Sequence, residues 1–212
     1  MSCQKYLLGA VMKKEEEWVE SIQKLLKREL THRPSLSSGF KISTQRGLPY
    51  AWEILAYLET DKGFSPAKGY EKGLFYKTDL LIYEEAQNQI KPRIIIEAKY
   101  ANNNKEITTH DAITYSNKAA QHKAITPYLR YGIMLGQHNS LPGRLFRHGV
   151  NFDFMISFEG EEPTSKEKAS LVELINSEWN FSKQIEEMLS ENRSRNRKRY
   201  FMLQNALQLK KI

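Results

Sequence analysis

Thr78-Asp79-Leu80-Leu81-Ile82-Tyr83 and, after a polar turn, Arg93-Ile94-Ile95-Ile96-Glu97-Ala98-Lys99 are the segments whose reading decides the fold. Both are rich in β-branched and aromatic residues, so each reads as a strand. The charged, amide-rich run from Glu84 to Lys91, ended by Pro92, reads as a hairpin connection. Side chains two apart in a strand share a face, so Glu97 and Lys99 point one way and Ala98 the other. With the strands paired, Asp79 at the start of the first comes close to Glu97 and Lys99 at the end of the second. Two carboxylates and an amine then converge beside a dry sheet. Mg²⁺ suits such a place: it takes oxygen ligands, keeps several waters, and is held by one or two carboxylates plus substrate phosphate. An ammonium there would hold the nucleophile and offset charge developing on phosphorus. A surface hairpin with solvated ends also fits the spacing. Against it, Glu97-Ala98-Lys99 is the only acidic-x-Lys triplet in the chain, and it follows three consecutive isoleucines.

Asp79 followed by Glu97-Ala98-Lys99 closing an apolar strand resembles the PD-(D/E)xK nuclease superfamily, which includes many type II restriction endonucleases. The resemblance runs from about Leu74 to Gly136. It implies an α/β fold with a mixed central β-sheet flanked by helices, and a metal-dependent phosphodiesterase activity. It implies metal-ligand roles for Asp79 and Glu97, with the Ala98 carbonyl as a further ligand, and water activation by Lys99. Mg²⁺ is the implied cofactor, with Mn²⁺ able to substitute. Thr78 stands where the name-giving proline would be, a position without chemistry.

The superfamily often adds an acid from an early helix, and the chain offers two places for one. Residues 11 to 30 form an amphipathic pattern through Trp18, Val19, Ile22, Leu25, Leu26 and Leu30, with Glu15, Glu16, Glu17 and Glu20 in its first half. Those acids read more simply as complements to the helix dipole. A second helix is expected over Tyr50 to Glu59, opened by Pro49, with Trp52, Ile54, Leu55, Tyr57 and Leu58 making it apolar. An acid inside such a helix needs a partner or a metal, which makes Glu53 the preferred candidate.

Downstream, a helix is expected from about Asp111 to Ala124, capped by Thr108 or Thr109, then strands over Arg130 to Gly136 and Phe152 to Phe158. Gln137 to Gly149 reads as a loop. A helical pattern over Ser170 to Leu189 carries a break near Asn180-Phe181-Ser182, and a last helix covers Tyr200 to Leu209. His110 and His122 read as surface histidines. The organisation expected is a nuclease core with N-terminal helices over 1–160 and a C-terminal helical region over 161–212.

Formal net charge is +7 and the sequence pI about 9.3, a moderate excess that favours a polyanion only weakly. Lys72 in a glycine-rich link, Lys118 on the helix after the Glu97 strand, and Arg144 and Arg147 in the following loop are the candidate DNA contacts, each also explicable as solvated surface. Arg193, Arg195, Arg197, Lys198 and Arg199 form the densest basic cluster. The lone cysteine, Cys3, excludes an internal disulfide and fits a reducing compartment. No apolar run approaches the ~20 residues of a membrane span, so a cytoplasmic location without membrane is expected. The function expected is a metal-dependent endonuclease of the restriction type acting on double-stranded DNA, as a homodimer if the target is palindromic. A structure-specific repair or junction-resolving nuclease, and a DNA-binding module that kept the fold, are the alternatives.

Overall fold

The computed structural model describes residues 3–31, 33, 39–100, 107–191 and 209. Its centre is the expected hairpin, longer than the sequence indicated. Strands β4 (Glu71–Ala86) and β5 (Gln89–Tyr100) meet at Gln87-Asn88, whose φ angles of 51° and 61° make a tight primed turn matching the twist of the strands. Strand β1 (Phe40–Ile54) pairs antiparallel with β4 on the outer side. Strands β6 (Arg130–Gly136) and β7 (Phe154–Phe158) continue the sheet parallel to β5. The order is β1-β4-β5-β6-β7, a mixed five-stranded sheet. A separate hairpin of β2 (Tyr57–Thr60) and β3 (Gly63–Pro66) sits between β1 and β4 in sequence.

Helices cover both faces. On one, α1 (Cys3–Leu30) and α4 (Ser165–Glu191) bury Trp18, Ile22, Leu26, Leu30, Leu171, Ile175 and Trp179 against Leu80, Ile82, Ile94, Ile96 and Ala98. On the other, α2 (Thr109–Ile125) and α3 (Gly143–His148) pack on Leu81, Ile95, Tyr131, Ile133 and Leu135. The alternation 94-96-98 against 95-97-99 thus divides β5 between the two faces, as period two requires. α2 starts at a capping box in which Thr108 and Asp111 bond each other's backbone N–H groups. Among the described residues, no helix is long and apolar enough to cross a membrane.

Several expectations are corrected. Tyr50 to Glu59 is not a helix: Ala51 to Ile54 pair with Leu74 to Glu71, and Tyr57 to Thr60 form β2. Long-range pairing overrides the helix-favouring Leu, Ala and Glu content. Pro49 is tolerated because β1 is an edge strand and is bulged between Pro49 and Ala51. The loop over Gln137 to Gly149 contains α3, and α4 runs unbroken through Asn180-Phe181-Ser182, held there by buried Trp179 and Ser182. His122 is fully buried rather than on the surface. The basic cluster at 193–199 lies outside the described residues, as does the expected helix over 200–209 apart from Leu209, which is not helical.

Candidate active site

β4 and β5 part company where the three motif residues lie. Their register ends at Leu80↔Ile96, while β4 stays paired with β1 through to Glu71. The parting strips two β5 N–H groups of strand partners, and carboxylates take their place. Asp79 Oδ2 accepts from Ala98 N at 2.9 Å, and Glu15 Oε2 accepts from Tyr100 N at 3.1 Å. Glu97, 2% exposed, points to the α2 face and lies close to Asp79. The Tyr131 hydroxyl donates to Glu97 Oε1. Lys99 Nζ stands 3.7 Å from Glu15 Oε1 and 5.3 Å from the centroid of the Tyr115 ring. Gln45, held at φ 53° in β1, donates to Asp79 Oδ1 at 3.3 Å.

α1 brings Glu15 here because Trp18, one turn later, anchors the helix. Its ring lies 5.4 Å from that of Tyr100 and rests on Gly136, where a Cβ would lie 2.8 Å from the indole. Only glycine permits that approach. α2 supplies Tyr115 and Lys118. Lys118 Nζ lies 4.9 Å from the Tyr115 centroid and 5.1 Å from that of Tyr76, and among the described residues no carboxylate is within ion-pair distance of it.

The charges at the site are mutually dependent. Burial, with Asp79 alongside, pushes the Glu97 carboxyl up to about 7, while Lys118 and the Tyr131 hydroxyl act the other way. Burial also raises Glu15, against the pull of Lys99 and the Tyr100 N–H. For Lys99 burial disfavours the charge, but the Tyr115 hydroxyl, Glu15 and Asp79 outweigh it and the pKa is raised. Lys99 is therefore a firm ammonium at neutral pH, suited to holding an anion or a water rather than taking a proton.

A buried carboxylate beside a second, half-buried one is repelled by it unless the pair shares a proton or a cation. That is the observation by which the donor set fits a divalent ion. Among the described residues no group of three or more Asp, Glu, His or Cys side chains is placed to hold a metal ion by itself. The protein's own ligands would be two carboxylates and a backbone carbonyl, leaving places for water and phosphate, the mode Mg²⁺ favours.

No protein-family model matches the chain, and no curated protein matches it. Among solved structures, the chain is similar to the pre-specific restriction endonuclease BsaWI in its complex with DNA. The identity is 11% and the TM-score 0.40, over 84% of this chain and 66% of that one, so the chain spans just under two thirds of that protein's length.

The structure brings Asp79, Glu97, Ala98, Lys99 and Lys118 together. It sets Glu53 apart: this exposed residue of β1 faces Lys72 across the ladder, seven residues along β4 from Asp79. The helix expected to carry Glu53 inward does not exist, and Glu15 of α1 is the helix-borne acid at Lys99. Lys72 is exposed on β4 beyond the site. Arg144 donates to the Ile107 carbonyl at 2.8 Å, bracing the approach to α2, and Arg147 is exposed on α3. Glu15 had a signal in the sequence. Of the four acids in the first half of α1, it is the one in line with the buried stripe Trp18, Val19, Ile22 and Leu26. Tyr131 had none, since nothing in Arg130 to Gly136 tells which neighbour its hydroxyl meets.

Proposed function

We propose that the chain is a metal-dependent DNA endonuclease that hydrolyses phosphodiester bonds, of the restriction type, cutting duplex DNA at a specific site. One observation supports this above the rest: Asp79, Glu97 and Lys99 meet where β4 leaves β5, with Glu15 completing the ring of charge. The ion proposed is Mg²⁺, with Mn²⁺ as substitute, held by Asp79, Glu97 and the Ala98 carbonyl. When bound, such an ion polarises the phosphate and lowers the pKa of a coordinated water. Lys99 contributes fixed positive charge beside the attacking water and the phosphorus centre. The water oxygen bonds to phosphorus as the opposite P–O bond breaks, the water's proton passing to solvent and the leaving oxygen taking a proton from solvent. Positioning and electrostatics supply most of the acceleration. Lys118, with no carboxylate within ion-pair distance among the described residues, is placed to meet a phosphate of the same strand, and Lys72 and Arg147 are further candidates for backbone contact.

The test is a plasmid digest in Mg²⁺ and in Mn²⁺ with the wild-type chain, Asp79→Asn and Lys99→Ala. The expected result is discrete fragments from the wild type and at least about a hundredfold loss in both variants. DNA binding in Ca²⁺ should survive in both. Binding without cutting in either metal would sink the enzymatic reading and leave a DNA-binding module.

A further inference from the structure

Tyr131 is fully buried on β6, and its hydroxyl has a single hydrogen to donate. That hydrogen goes to Glu97 Oε1. Strand register sets up the meeting. Ile95 lies opposite Tyr131 and Glu97 opposite Ile133, so Tyr131 and Glu97 are diagonal neighbours on the α2 face. The rest of Tyr131 is held by other groups. Tyr131 N donates to Asp153 Oδ2 at 2.7 Å, and Asp153 N donates to the Tyr131 carbonyl at 2.7 Å. Lys123 and Arg130 hold the Asp153 carboxylate in turn, at 2.8 and 3.0 Å. The Tyr131 ring stacks on His122, with centroids 5.7 Å apart, and on Phe152 at 6.4 Å. His122 is itself fixed: its Nδ1 lies 3.1 Å from the Pro49 carbonyl, which can only accept, so Nδ1 carries the proton. The phenol oxygen is therefore set beside Oε1 by its scaffold, before any ion arrives.

We infer that Tyr131 sets the metal selectivity of the site: its phenol occupies Oε1, leaves Oε2 as the open oxygen of Glu97 for an ion shared with Asp79, and so favours Mg²⁺ over Ca²⁺. A carboxylate can grip a cation with one oxygen or with both. Ca²⁺ takes about six to eight oxygens in flexible geometry and accepts the two-oxygen grip. Mg²⁺ is smaller and demands a near-octahedral shell, whose right angles the narrow bite of a carboxylate does not match. Blocking one oxygen thus costs Ca²⁺ a ligand and costs Mg²⁺ none. Tyr131 touches neither ion nor phosphate in this arrangement; it is a positioning residue that acts through Glu97. The inference rests on the ion of the nuclease reading and adds a selectivity-determining residue to it. A hydroxyl that merely finds a partner in a dry core would contribute stability and leave selectivity alone.

The test uses the full chain without DNA. Mn²⁺ is bound first, and Mg²⁺ and Ca²⁺ are each titrated against it, the released Mn²⁺ being read by its paramagnetic resonance. The quantity compared is the ratio of the Ca²⁺ to the Mg²⁺ dissociation constant. Protonation of Glu97 competes with both ions alike and cancels in that ratio. Tyr131→Phe keeps the stacked ring and loses the hydroxyl, and the expected result is a ratio lowered at least about tenfold. Phe152→Leu keeps the hydroxyl and loosens the ring, and should lower the ratio about threefold; it serves where circular dichroism shows Tyr131→Phe unfolded. Ile175→Val, a buried change on the α1–α4 face, should melt lower and keep the wild-type ratio. A ratio unchanged or raised in Tyr131→Phe, including affinities that fall together, overturns the inference and leaves the proposed ion standing. A wild type that binds none of the three ions overturns the metal reading, and this inference with it.

Discussion

Glu97 illustrates what one residue's surroundings dictate. Its folded pKa of about 7 lies above the ordinary 4.5, because burial and Asp79 both disfavour the charge. The folded chain therefore keeps a proton that the unfolded chain gives up, and the associated stability is complete below about pH 4.5 and is lost as pH rises through 7. In chelator, thermal stability should fall between pH 5 and 8 by up to roughly 3 kcal/mol. Glu97→Gln should flatten that slope, and Mg²⁺ should restore the wild type most at the alkaline end. A slope unchanged in Glu97→Gln would show that another group titrates. Tyr131→Phe removes the hydroxyl bonded to Glu97 and should cost about 1–3 kcal/mol by denaturant unfolding. At this scale the sequence was legible for Asp79, Glu97 and Lys99, because strand parity is a local rule. It misled at Glu53, because the residues around it only reveal themselves as a strand through partners twenty positions away.

Helix α2 carries Tyr115 and Lys118 to the site, and its start depends on Thr108 and Asp111. Thr108→Ala should lower stability by about 1 kcal/mol, or roughly 2–4 °C in Tm, readable by calorimetry. The β4–β5 turn offers the opposite change. Asn88 holds φ 61°, which glycine adopts without strain, so Asn88→Gly should be neutral or slightly stabilising in the same assay. The elements the sequence revealed best, β6 and α2, have an uninterrupted apolar run or a cap together with helical spacing. β1 was hidden because it lies at the sheet edge. Its half-exposed side chains show no clean alternation, and its proline sits at a bulge that only pairing with β4 explains.

Over the whole molecule, the α1–α4 face holds the largest apolar core, and the opposite face carries Glu97 and Lys99 of β5 with Tyr115 and Lys118 of α2. Architecture was readable because the order strand, strand, helix, strand, strand, helix fixes a layered α/β arrangement. Which helix would lend an acid to which strand end was not, since that depends on how α1 crosses the sheet. With duplex DNA as the proposed substrate, a chain of +7 should lose affinity steeply as salt rises, with log K falling linearly against log salt in a titration. The ending of the β4–β5 ladder has a practical consequence for such experiments. Asp79 and Glu15 are rungs as well as the proposed reagents, each closing a hydrogen bond that the missing strand would have made. Truncation to alanine removes chemistry and scaffold together, whereas an amide keeps the acceptor. Asp79→Ala should therefore melt below Asp79→Asn by about 1–3 kcal/mol while both are equally inert, and only the amide isolates the lost charge.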